Sequence, residues 1–148
     1  MIIEWKGYEI DKAKDLAMCL HYGQEYGDKD YMYHVIEVIK KTQQLFISSQ
    51  TNYTRLSIVA ALHDTIEDTE YTYEQCLEDF DATIAGSVRA ISKREGQSHE
   101  DYIKAVKQDY YAHKVKIADT LCNLEASITS QEKKRIKKYT QQLLDLTL

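Results

Sequence analysis

Residues 54–68 leave almost no polar face if they are wound into a helix, and this limits the fold more than any other stretch. Leu56, Ile58, Val59, Ala60, Ala61 and Leu62 fall on every side. That is the pattern of a central helix wrapped by other elements. The same periodicity supplies the wrapping. Ile10, Ala13, Leu16, Ala17, Leu20 and Tyr26 recur at three- and four-residue spacing until Gly27-Asp28 breaks the run. Val35, Ile36, Val38, Ile39, Leu45 and Phe46 do so over residues 33–48, and residues 48–52 read as a polar loop. Thr72 with Gln75 forms a capping box, and Asp81 caps a helix carrying Ile84, Val88, Ala90 and Ile91. Residues 93–97 are a charged loop. Ser98 then caps a helix with Tyr102, Ala105 and Val106. Val115, Ile117, Ala118, Leu121 and Leu124 mark a helix over 110–127, and Ser130 caps a last one with Ile136, Tyr139, Leu143 and Leu144. Residues 2–8 suit a short strand. The expectation is an all-α fold, one domain over residues 1–148.

Composition narrows the function classes. The net charge is −5, which suits a nucleic-acid polymer poorly as partner, because polymer binding needs basic surface; no membrane partner is expected either, since the first residues lack a long apolar run. A small anionic substrate remains open. Cys19, Cys76 and Cys122 are odd in number and widely spaced, without a Cys-x-x-Cys. A disulfide framework or zinc knuckle is therefore not expected. The first residues carry no long apolar run, so the expected location is cytoplasmic.

The chemistry concentrates in His63-Asp64-Thr65-Ile66-Glu67-Asp68-Thr69. Wound as one helix, His63 and Glu67 share a face, as do Asp64 and Asp68. Three carboxylates so close repel one another unless a cation or protons neutralise them. Imidazole nitrogen and carboxylate oxygen are both ligands for Mn, Fe or Zn. Two further segments join this one. His34 ends Tyr31-Met32-Tyr33-His34, at the start of a helix. Asp119 lies in Val115-Lys116-Ile117-Ala118-Asp119, on an otherwise apolar helix. A carboxylate buried there must be paired, protonated or metal-bound. His99 and His113 belong to no such pattern and are expected at the surface.

This His, His-Asp, Asp order resembles the HD-domain metal phosphohydrolases. Within them it is most similar to the hydrolase domain of the RelA/SpoT family and its small stand-alone relatives. The likeness runs from residue 13 to about residue 127. It includes His21-Tyr22-Gly23-Gln24 through Tyr31 and His34, then residues 63–69, and finally residues 115–119 with Asn123. Ser92-Lys93-Arg94-Glu95-Gly96 followed by Tyr102-Ile103 also matches the small members. The resemblance implies a bundle of about seven or eight helices and removal of 3′-pyrophosphate from guanosine tetra- and pentaphosphate, the alarmones of the stringent response. It implies one divalent metal, Mn²⁺ or another, on His34, His63, Asp64 and Asp119. Glu67 and Asp68 would orient and deprotonate water. Asn123, Gln24 and Tyr31 would lie on the nucleotide side.

The departures bear on substrate. The family's Arg-Lys pair upstream of the first ligand is absent, the stretch here being Tyr22-Gly23-Gln24. Val35 and Thr120 stand where a proline and an arginine are common. Lys93, Arg94 and Lys116, with Lys114, are the cations expected to compensate. At 148 residues the chain leaves no room for a synthetase domain, so hydrolysis alone is expected. Two alternatives stay open: the same chemistry on another nucleotide or second messenger, and a non-catalytic nucleotide- or protein-binding module.

Overall fold

The computed structural model describes residues 8–46 and 50–148. Among them are nine helices and one two-stranded hairpin. In chain order these are α1 (Tyr8–Leu20), β1 (Glu25–Tyr26), β2 (Lys29–Asp30), α2 (Tyr31–Phe46), α3 (Gln50–Leu62), α4 (Thr65–Asp68), α5 (Tyr73–Asp79), α6 (Ala82–Ile91), α7 (His99–Gln108), α8 (Tyr110–Thr129) and α9 (Lys133–Thr147). The all-α expectation holds, with the single-turn α4 added to eight longer helices.

Helix α3 is the centre. Leu56, Ile58, Val59, Ala60, Ala61 and Leu62 are all buried, as their all-round apolar pattern requires. Helices α1, α2, α6 and α8 pack around α3. They contribute Ala13 and Ala17, Val35, Val38 and Ile39, Ile84 and Val88, and Val115 and Ala118. Small residues on α1 and α8 let helix axes approach closely. Helix α9 lies along α8 and reaches the core through Leu146.

Several local expectations change. The first run ends at Leu20, and Tyr26 belongs to a hairpin whose register is Glu25↔Asp30 and Tyr26↔Lys29. Gly27 takes φ +62° in the tight turn, a conformation that glycine adopts without strain. Ile36 and Leu45 on α2 face outward. Residues 50–52 begin α3 instead of forming a loop, and residues 48 and 49 lie outside the described residues. The strand expected over 2–8 also lies outside them, except Tyr8, which opens α1. Ser130 follows α8 and does not cap α9, whose N-cap is Glu132. On α9 the buried residues are Gln142 and Leu146, while Leu144 is exposed. His113 is only partly exposed, with a ring nitrogen 2.7 Å from the carbonyl of Leu146. The caps at Thr72, Asp81 and Ser98 form as expected.

The most consequential change is at the motif. Helix α3 ends at Leu62, and α4 begins at Thr65. The hydroxyl of Thr65 donates to the carbonyl of Leu62 at 2.7 Å, satisfying one of the orphan acceptors at the helix end. His63 and Asp64 therefore sit in a turn, not on a continuous helix.

Leu62 is fully buried immediately before that turn. Leu62→Ala is expected to cost about 2–5 kcal/mol, read as a lower urea midpoint at unchanged m-value. A cost below about 1 kcal/mol would mean that α3 is not the close-packed centre described here.

Candidate functional site

Three elements deliver side chains to one buried point. His34 comes from the first turn of α2, His63 from the end of α3, and Asp119 from the middle of α8. One ligand-capable atom from each lies within 4.8 Å of the others. His34 Nε2 is 2.9 Å from Asp119 Oδ1, and His63 Nε2 is 3.5 Å from the same oxygen. All three side chains are buried. Asp64 joins them through Oδ2, which is 3.0 Å from His63 Nε2. Asp64 also belongs to a second group with Glu67 and Asp68, again within 4.8 Å. The four expected ligands and both expected water-handling acids are thus brought together. Asp64 is the link between them.

The surroundings orient each group. His63 Nδ1 lies 2.7 Å from the carbonyl of Ala60, an acceptor that places the proton on Nδ1 and turns the lone pair of Nε2 inward. His63 Nε2 is buried and makes no hydrogen bond of acceptable geometry. Burial opposes charge on this ring, yet Asp64 and Asp119 raise its pKa well above the ordinary value. The point beside Nε2 therefore favours positive charge, whether a proton or a metal cation. This buried His, His and Asp group is consistent with the metal site of HD hydrolases.

Asp119 is the most constrained member. Burial opposes its ionisation, but Lys116, His34 and His63 hold its pKa well below the usual carboxylate range. Lys116 Nζ donates to Asp119 Oδ2 at 3.0 Å, and Asn123 Nδ2 donates to Oδ1 at 3.1 Å. Burial likewise opposes charge on Lys116, but Asp119 outweighs it and raises the lysine. The Asn123 carbonyl accepts from Tyr26 at 2.6 Å. Tyr26 also stacks on His34 at a centroid distance of 4.4 Å. On the other side, Tyr31 donates its hydroxyl to Asp64 Oδ2. Burial, followed by Asp64, pushes the Tyr31 pKa far upward, so its hydroxyl remains a donor.

Glu67 and Asp68 differ from the ligands. Both carboxyls are raised, first by burial and then by Asp64, although for Glu67 a bond from the Lys93 backbone N–H intervenes as a larger, opposing influence. Glu67 looks onto a cleft of about 410 Å³ in which it, Lys93, Lys116 and Tyr102 meet Lys138 and Gln141 of α9. Lys93 and Lys116, the expected compensating cations, both line this cleft, but the ammonium of Lys116 is engaged by Asp119. Arg94 is on the same loop with its side chain exposed. Gln24 and Tyr31 have their polar atoms engaged within the protein. Lys138 was not expected here, nor was the stacking of Tyr26 on His34. The run of cations over 133–138 was visible in the sequence, but not which of them faces the cleft.

Comparison with known proteins was made by family model, by sequence and by fold. No protein-family model matches the chain. Guanosine-3′,5′-bis(diphosphate) 3′-pyrophosphohydrolase of Aquifex aeolicus is 28% identical over 147 residues, covering 93% of this chain and 20% of that protein. The Haemophilus influenzae protein of the same name is 30% identical over 142 residues, covering 86% of this chain and 20% of that protein. The chain therefore spans about a fifth of the length of these curated relatives. A solved metazoan ortholog of SpoT, described as hydrolysing ppGpp, superposes with a TM-score of 0.77 at 19% identity. The match covers 98% of this chain and 89% of that one. In sequence the chain is homologous to part of the SpoT-type 3′-pyrophosphohydrolases, and in fold it matches their metazoan ortholog.

Proposed function

We propose that this chain is a divalent-metal-dependent phosphohydrolase that releases 3′-pyrophosphate from guanosine tetra- and pentaphosphate. The observation that carries the reading is the inward-facing Nε2 of His63, set between the carboxylates of Asp64 and Asp119 in a buried site. His34, His63, Asp64 and Asp119 are the ligands, and Mn²⁺ is the expected ion. With a divalent ion bound there, the site would supply a water of lowered pKa and charge to offset the developing phosphate charge. The choice of substrate leans on the relatives, whose names specify this pyrophosphohydrolase activity.

The remaining roles belong to this chain's own groups. Glu67 and Asp68, with raised pKa values, are closer to the working pH than ordinary carboxylates. That improves a general base. The Lys93 backbone N–H holds the Glu67 carboxylate in one orientation. Tyr31 and Asn123 keep Asp64 and Asp119 directed inward. Lys93 and Lys138 give the cleft beside Glu67 positive charge, which attracts a polyanionic nucleotide. Arg94 extends that charge along the loop.

Pyrophosphate release from guanosine tetraphosphate with added Mn²⁺ is the direct test. Glu67→Gln is expected to retain metal and fold while turnover falls roughly 10²–10⁴-fold. Asp64→Ala should lose metal and activity together. A Glu67→Gln variant near wild type would remove the base from this mechanism. Hydrolysis of a different nucleotide, with the alarmone untouched, would replace the substrate. Full metal occupancy with no turnover on any phosphoester would favour a binding module.

Metal removal makes a separate prediction. Burial opposes ionisation of Asp64, but His63 holds its pKa down at about 2, below the ordinary 3.8. A depressed carboxyl contributes stability that is complete above the unfolded pKa and is lost as pH falls toward the folded one. Chelator-treated protein should therefore lose urea resistance between about pH 4 and pH 2. Asp64→Asn should flatten that loss. An unchanged slope in the variant would show that Asp64 carries no such linkage.

A further inference from the structure

Helix α4 carries both proton-handling acids, yet it is only four residues long, Thr65–Asp68. A helix of one turn has little stability of its own, because nucleation costs more than a single turn returns. Something outside it must hold Glu67 and Asp68 in place. One tether is the Lys93 N–H on the Glu67 carboxylate. Another comes from Gln24, in the segment between α1 and β1.

The bonds around Gln24 close on themselves. Gln24 Nε2 donates to the carbonyl of Asp68 at 3.1 Å. The Asp68 N–H donates to the carbonyl of Asp64 at 2.9 Å. The Asp64 side chain accepts from the Tyr31 hydroxyl. The Tyr31 N–H donates to the carbonyl of Gln24 at 3.1 Å. The circuit joins the start of α2, the turn that holds Asp64, and the end of α4. Gln24 enters it twice, once by backbone and once by side chain.

The Gln24 amide is itself oriented. Its nitrogen is committed to Asp68, so its oxygen faces His21 Nδ1 at 2.8 Å. Nδ1 must then carry the proton and donate. His21 is buried, its ring tilted against Tyr31 at a centroid distance of 4.7 Å. A buried histidine and a half-buried glutamine thus form one hydrogen-bonded unit beside α4.

We propose that Gln24, oriented by His21, is a positioning residue that fixes Asp68 and Glu67 relative to Asp64, and acts on turnover instead of on substrate affinity. The inference rests on the proposed phosphohydrolase reading, but its structural half stands without it. Misplacing a reacting group by about an ångström costs on the order of a hundredfold in rate. Loosening the tether on the Asp68 end of α4 should cost a substantial part of that.

Gln24→Met keeps length and packing but removes the donor to Asp68. With guanosine tetraphosphate and saturating Mn²⁺, its kcat should fall roughly ten- to a hundredfold at nearly constant KM and metal occupancy. Amide hydrogen exchange at Asp68 and Thr69 should quicken by about tenfold or more. His21→Leu should do the same. His21→Asn keeps an amide nitrogen near the place of Nδ1, and should recover exchange protection and most of kcat. A raised KM with unchanged kcat and unchanged exchange would overturn the proposal, because Gln24 would then be a substrate contact. Wild-type exchange in Gln24→Met would overturn it too. If the wild-type protein cleaves no alarmone, the functional reading fails separately, and exchange alone decides the positioning role. If His21→Leu fails to fold, Gln24→Met decides.

Discussion

The carboxylate of Asp119 is buried in the middle of α8, and the site depends on how that burial is compensated. An isolated charge in such a place is costly unless it is paired and hydrogen-bonded. Here His34, His63, Lys116 and Asn123 surround it. They arrive from the start of α2, the end of α3 and α8 itself. The electrostatic need of one group thus draws three helices to a common point. Lys116 balances one oxygen of Asp119, while the two imidazoles converge on the other. The result is a pocket with matched nitrogen and oxygen donors and a local preference for positive charge.

The break after Leu62 separates two kinds of carboxylate. On one uninterrupted helix, His63 and Glu67 would stack on one face and all three acids would share similar surroundings. The turn instead sends Asp64 toward His63 and Tyr31. It leaves Glu67 and Asp68 on a separate short helix, with Glu67 at the cleft. Their pKa values diverge accordingly, Asp64 downward and the other two upward. Environment, not residue type, thereby sets Asp64 apart from Glu67 and Asp68, the kind of split that the proposed division into ligand and base would use.

Charge is distributed unevenly over an acidic chain. The net charge is −5, but α9 opens with Lys133, Lys134, Arg135, Lys137 and Lys138. Lys138 lines the cleft beside Glu67, while Arg135 lines a second groove with Tyr26 and Lys29. A protein that repels anions overall thus offers them positive ground next to its carboxylate-rich centre. The hairpin contributes Tyr26 as a flat cover on His34.

Much of this was legible without coordinates. The all-round apolar pattern of residues 56–62 announced the central helix, and the caps at Thr72, Asp81 and Ser98 were readable from local chemistry. The residue types of the site were also readable, since His34, His63, Asp64 and Asp119 are all groups that can hold a cation and the structure brings them together. Three things were not legible, each for a physical reason. The end of α3 at Leu62 is set by Thr65 bonding back to a carbonyl, a choice that propensity does not reveal. The face that α9 presents depends on its packing against α8, so Lys138 in the cleft and Leu144 in solvent could not be told apart by spacing. Gln24 reaches Asp68 across forty-four residues of sequence, and no local pattern encodes a bond of that reach. The sequence by itself determined which chemical groups were available and which helices would be buried. The tertiary structure alone decided how differently the three carboxylates are surrounded, because that depends on distances between segments far apart in the chain.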